Sequence, residues 1–138
     1  MCIAKKSLQL AISGVTSADL PDDYWVIDLD SPDGYEAQNR HDVIFQVSFD
    51  VGPVSSLGRD LFECVVLTPN HLHRFAHPRH GLIVLEEYTY GAFRDRLKGV
   101  IRACEAPSWY ECLKNLRRHF RWEYEGMYSE AELEALNS

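Results

Sequence analysis

VIFQVSFDVGP, residues 43–53, alternates with a period of two. Val43, Phe45, Val47, Phe49 and Val51 fall on one side of an extended chain, and Gln46, Ser48 and Asp50 on the other. Successive side chains of a strand point to opposite faces, so the pattern predicts a strand with one buried and one wet face. Gly52-Pro53 stops it. SSLGRD is a connection of hairpin type, and LFECVVLT, residues 61–68, is the next strand, with Phe62, Cys64 and Val66 pointing inward. Two half-buried strands joined this closely begin an antiparallel sheet.

Upstream, Leu8, Leu10 and Ile12 alternate as a first strand that Gly14 ends. YWVIDLD, residues 24–30, sets Trp25, Ile27 and Leu29 against Val26, Asp28 and Asp30, a short strand or extended edge. Ser31-Pro32-Asp33-Gly34 is a turn. Downstream, Thr68-Pro69 is a helix start, a hydroxyl N-cap followed by proline at the first helical position. Pro78 and Gly81 close that short helix, and the apolar run in LIVLEEY, residues 82–88, reads as a central strand. In the next segment Phe93, Leu97, Val100, Ile101 and Cys104 share one helical face. After Ala106-Pro107, Ser108 and Glu111 form a capping box, and Trp109, Cys112, Leu113, Leu116 and Phe120 make a second buried stripe. AELEALNS is a last helical turn or a frayed tail. The expected fold is α+β: one domain over residues 1–138, with an antiparallel sheet of about four to five strands and two C-terminal helices packed on one face.

The chain has 138 residues, 46% hydrophobic and 12% aromatic, enough for a buried core. Its 21 acidic and 14 basic residues give a formal charge of −7, which makes nucleic acid a poor partner and a basic protein a better one. Cys2, Cys64, Cys104 and Cys112 form no CxxC pair and read as small core residues in a reducing compartment. Lys5-Lys6 and the apolar residues after them resemble a weak signal peptide, but Gln9 and Ser13 interrupt the run. No apolar stretch reaches the ~20 residues of a membrane span. A cytoplasmic location is expected.

PNHLHRFAHPRHGLIV, residues 69–84, holds His71, His73, His77 and His80. On a helix, His73 and His77 would lie four apart, yet a zinc site needs further ligands that the neighbourhood does not supply. His41-Asp42, His80 and His119 are candidate general bases, each lacking a visible orienting partner. Glu86 and Glu87 would point to opposite faces of a strand, one buried and one wet, so they cannot share a proton. No catalytic residue, metal or cofactor is assigned. HFRWEYEGMY, residues 119–128, mixes Trp122, Tyr124 and Tyr128 with Glu123 and Glu125. Rings beside carboxylates suit a contact surface for a basic protein, and equally suit a core capped by its last aromatics. Asp19, Asp22, Asp23, Asp28, Asp30 and Asp33 form an acidic N-terminal section, a solvated loop or more of the same face. Arg117, Arg118 and Arg121 read as the exposed side of the last helix.

RHGLIVLEEYTY, CEAPSWYECLKNL and WEYEGMY, in that order, resemble the immunity protein 8 family of bacterial polymorphic-toxin and contact-dependent inhibition systems. The resemblance rests on Arg79, His80, Leu82 to Val84, Glu87, Tyr88, Tyr90, Cys104, Glu105, Trp109 to Glu111 and Trp122 to Glu125. Phe62, Thr68 and Pro69 fit the segment before them. It covers the second half of the chain, and the first 40 residues match poorly. Membership implies an antidote: a non-catalytic cytoplasmic protein that binds the toxic C-terminal domain of a delivered effector, a basic nuclease in the favoured case. The contact residues it implies are Glu87, Tyr88, Tyr90, Trp122, Glu123, Tyr124 and Glu125. Two rival readings stand beside it, a small hydrolase using a histidine and a carboxylate, and a generic binding domain.

Overall fold

The alternating stretch forms the second strand of a five-stranded sheet in the computed structural model, which describes residues 6–76 and 80–136. This strand, β2 (Ile44–Pro53), pairs antiparallel with β1 (Leu10–Thr16) on one side and β3 (Asp60–Leu67) on the other. Phe45 lies opposite Val66, Val47 opposite Cys64 and Phe49 opposite Phe62, and all six are buried. Gln46, Ser48 and Asp50 line the opposite face, as the period of two requires.

The far edge of β3 is shared. β4 (Leu82–Val84) runs parallel to its last residues, and β5 (Arg121–Trp122) runs antiparallel to its first. Gly81 joins the two, donating to the His119 carbonyl at 3.0 Å and accepting from Val65 at 2.9 Å. The sheet is therefore antiparallel in every pairing but one. LIVLEEY is not its centre: only three residues pair, and β3 holds the middle. The chain bends at Glu86 and Glu87, both exposed, and carries Tyr88 into the core.

Gly14 does not end β1. It takes φ +59° where the register with β2 shifts, so glycine absorbs a bulge and the strand continues to Thr16. YWVIDLD supplies the edge reading: a 3-10 turn at Asp22–Tyr24 precedes a single bridge from Val26 to Thr16. Pro69–Arg74 is also 3-10, not α. Thr68 turns its hydroxyl away from a capping role: it accepts from the Val43 N–H at 2.9 Å and stitches the turn to β2.

Three helices complete the chain. α1 (Tyr90–Ala103) starts at Thr89, whose hydroxyl accepts from the Ala92 N–H at 3.0 Å, and buries Phe93, Leu97 and Ile101. α2 (Trp109–His119) starts at Ser108, which accepts from the Glu111 N–H at 3.3 Å, and buries Cys112, Leu113 and Leu116. Phe93, Leu97, Ile101, Leu113 and Leu116 join the inner sheet face in one core. α3 (Glu130–Leu136) occupies the stretch read as a turn or tail. Ser129 and Glu132 cap each other's backbone N–H groups at 3.2 and 3.3 Å, and Leu133 is buried. Cys64, Cys104 and Cys112 are free and buried; burial raises the Cys64 thiol strongly and pushes Cys104 up to about 11. Cys2 lies outside the described residues.

Gly34 has no room for a side chain, because a Cβ there would overlap the Tyr90 ring. That ring is fixed, its hydroxyl within 2.6 Å of the Asp28 carbonyl and 3.0 Å of the Ser31 carbonyl. Gly34→Ala should therefore cost about 1–3 kcal/mol in denaturant unfolding, the usual range for overpacking. An unchanged midpoint would show that the loop moves aside freely.

Candidate functional site

β5 sorts the acidic–aromatic segment between two sides. Trp122 pairs with Phe62 and points inward, while Arg121 pairs with Glu63 on the outer side. Trp122 is only 5% exposed, and its indole N–H donates to Asp60 Oδ2 at 3.0 Å. The Glu123 N–H donates to the Leu61 carbonyl at 3.1 Å, and Glu123 Oε1 accepts from the Leu61 N–H at 3.0 Å. The chain then turns through Gly126, at φ +83°. Tyr124 meets the indole edge-on at 5.4 Å, and Tyr128 closes the group at 6.0 Å from Tyr124 and 6.3 Å from Trp122.

Arg117 holds this turn in place. Its guanidinium lies 5.2 Å from the Trp122 ring centre, pairs with both Glu125 oxygens and reaches Glu130 Oε1 at 3.0 Å. One residue of α2 thus clamps the turn and α3 together. The sequence placed Arg117 in an exposed basic cluster; it is largely covered, because its partners lie 8 and 13 residues further along. The Arg117 hydrogen bonds hold the Glu125 carboxyl below its ordinary value of about 4.5 despite partial burial. A carboxylate with a lowered folded pKa stabilises the fold above its unfolded value and loses that contribution as pH falls through the folded one. The stability gap between wild type and Glu125→Gln should therefore be full at neutral pH and shrink below about pH 4.5. Urea midpoints at pH 7 and pH 3 test this, and a pH-independent gap would remove Glu125 from the clamp.

A cleft of about 310 Å³ opens beside the turn, walled by Trp109, Tyr110, Trp122, Tyr124, Tyr128 and Asp60. Burial raises the Asp60 carboxyl above the usual aspartate range, the bond from Trp122 lowers it, and the charge of Glu123 raises it again.

The other expected contact residues fare differently. Glu87 is exposed and pairs with Arg40 at 3.2 Å. Tyr88 and Tyr90 are 1% and 3% exposed, so little of either ring reaches the surface. The Tyr88 hydroxyl donates to the Tyr35 carbonyl at 2.9 Å, and with Tyr90 it draws the acidic N-terminal loop onto the core. That loop carries a second acidic–aromatic surface: Tyr24, Trp25 and Val26 are exposed, beside Asp22 and Asp23. The signal was present, since DDYW repeats the ring-beside-carboxylate pattern of WEYE.

The described histidines do not converge. His71 is buried with Nε2 at 2.7 Å from Asp42 Oδ1; its Nδ1 is buried with no partner among the described residues. Bonds from Asn70 and then His71 lower the Asp42 carboxyl. His80 is exposed and its ring nitrogen lies 3.0 Å from the Arg117 carbonyl. His41, His73 and His119 are exposed, while His77 and Arg79 lie outside the described residues. Among the described residues, no group of three or more His, Cys, Asp or Glu is placed to hold a metal ion. Glu86 and Glu87 both face solvent; neither is buried as strand alternation would have it.

The sequence pattern of one family, described as immunity protein 8, matches residues 23–127. The chain belongs to the immunity protein 8 family. Neither a curated protein nor a solved structure matches it. The immunity protein 8 match reaches back to Asp23, well into the stretch that motif reading left unmatched. Both acidic–aromatic surfaces, at Tyr24 to Val26 and at Trp122 to Glu125, lie inside the immunity protein 8 region, whereas α3 lies beyond it.

Proposed function

We propose that this immunity protein neutralises the toxin domain of a polymorphic-toxin or contact-dependent inhibition system by covering it, and transforms nothing itself. The partner is a basic protein, a nuclease in the favoured case, and the encounter takes place in the cytoplasm. Among the described residues no helix is long and apolar enough to cross a membrane. The observation that carries the reading is the 123–128 turn, where the half-exposed Tyr124 stands beside Glu123 and Glu125 on a rigid mount. Rings supply buried area with few rotatable bonds, and carboxylates speed encounter with a basic protein. Glu87, exposed and paired with Arg40, is assigned to the rim of the interface.

Among the described residues the hydrolase reading has one histidine paired with a carboxylate, His71 with Asp42. A general base must reach a proton on its substrate. Nε2 is occupied by Asp42 and Nδ1 is buried, which favours a structural role. Co-expression with toxin domains encoded beside the gene, scored by cell survival and by co-purification, tests the proposal. Rescue by the intact chain supports it; rescue by none of them, or substrate turnover lost on His71→Gln, overturns it.

A further inference from the structure

We propose that the cleft between the 123–128 turn and α2 receives an arginine side chain of the partner polypeptide, with Asp60 as its carboxylate and the surrounding rings as its walls. The inference rests on the reading that the partner is a protein. Five aromatic rings, two leucines and one acid line a space of about 310 Å³. Asp60 stands in its wall with the Trp122 indole N–H on Oδ2, and none of the ion pairs among the described residues includes it. Two arginines close to the turn in sequence are engaged elsewhere, Arg117 with Glu125 and Glu130 and Arg121 toward Glu63 at 4.0 Å. Glu123 places a second negative charge beside Asp60.

Such a wall favours a cation, and a planar one above others. Guanidinium stacks on ring faces, forks onto a carboxylate and is more weakly hydrated than ammonium. The protein already uses this chemistry next door, where the Arg117 guanidinium lies over the same indole. Burial and the Glu123 charge both raise the Asp60 carboxyl, as befits an acid whose counter-charge comes from outside.

The probe is N-acetyl-arginine methylamide, titrated into the intact chain while the Trp122 indole N–H signal is followed by NMR. The citrulline analogue removes the charge and keeps the shape; the lysine analogue keeps the charge and removes the plane. Asp60→Asn retains an acceptor for the indole, and relief of the buried charge should leave thermal stability at neutral pH no lower. A saturable shift with arginine is expected, weaker by about tenfold or more with citrulline or in Asp60→Asn, and by about two- to fivefold with lysine. Equal responses to arginine and citrulline, no saturable response, or an unaltered response in folded Asp60→Asn would overturn it. Failures separate cleanly. If a toxin domain is neutralised and Asp60→Asn binds it as tightly as wild type, the cleft assignment falls and the antidote reading stands. If the arginine probe binds as expected but no toxin domain is neutralised, the antidote reading falls alone.

Discussion

Phe49→Ala should cost about 3–5 kcal/mol of folding stability, the range seen when a large buried ring is truncated. A typical domain has only about 5–15 kcal/mol in total, so the variant is expected to sit near its unfolding threshold. Phe49 is fully buried on β2, meets Phe120 edge-on at 5.0 Å and stacks beside Phe62 at 6.4 Å. It is the point where two strands and the end of α2 share one contact. Losing the ring leaves a cavity there and loosens α2 from the sheet. Since α2 carries Arg117, the 123–128 turn should lose order as well. Phe49→Leu keeps most of the volume and should recover more than half of the loss. Guanidinium unfolding measures both; a loss below about 1 kcal/mol for the alanine variant would mean the neighbours collapse into the space.

The second large effect concerns binding. Tyr124→Ala combined with Glu123→Gln should weaken affinity for the toxin domain about 100-fold or more, as expected when central interface residues are removed. The fold should survive. Tyr124 is 37% exposed, and glutamine at 123 still accepts from the Leu61 N–H. Calorimetry or surface binding with the neutralised toxin domain reads the change, and circular dichroism checks the fold. Trp122, which the sequence pairs naturally with Glu123, is the wrong residue to cut: its indole belongs to the core and bonds Asp60. Unchanged affinity in the folded double variant would move the interface to the Tyr24–Val26 surface.

Periodicity carried most of the fold. The alternation in β2, the buried stripes of α1 and α2, and the Ser108–Glu111 cap are local patterns, and each appears where its residues place it. What failed was decided at long range. LIVLEEY is apolar enough for a central strand, but only contact with β3 fixes how many residues pair. Thr68-Pro69 carries a genuine start signal, yet the Thr68 hydroxyl is taken by Val43, 25 residues away. The site divides likewise. Its composition, acids beside rings, was legible in WEYE. Which rings stay outside was not, because Tyr88 and Tyr90 are drawn inward by carbonyls of Tyr35, Asp28 and Ser31 more than 50 residues earlier.

The Arg117 clamp changes how the molecule looks from a distance. Two carboxylates, Glu125 and Glu130, share one guanidinium, so this corner repels or attracts with far less strength than its count of acids suggests. The ionic-strength dependence of association should weaken when Asp60, Glu123 or Glu130 is neutralised, since each change removes one unit of negative charge from the same corner.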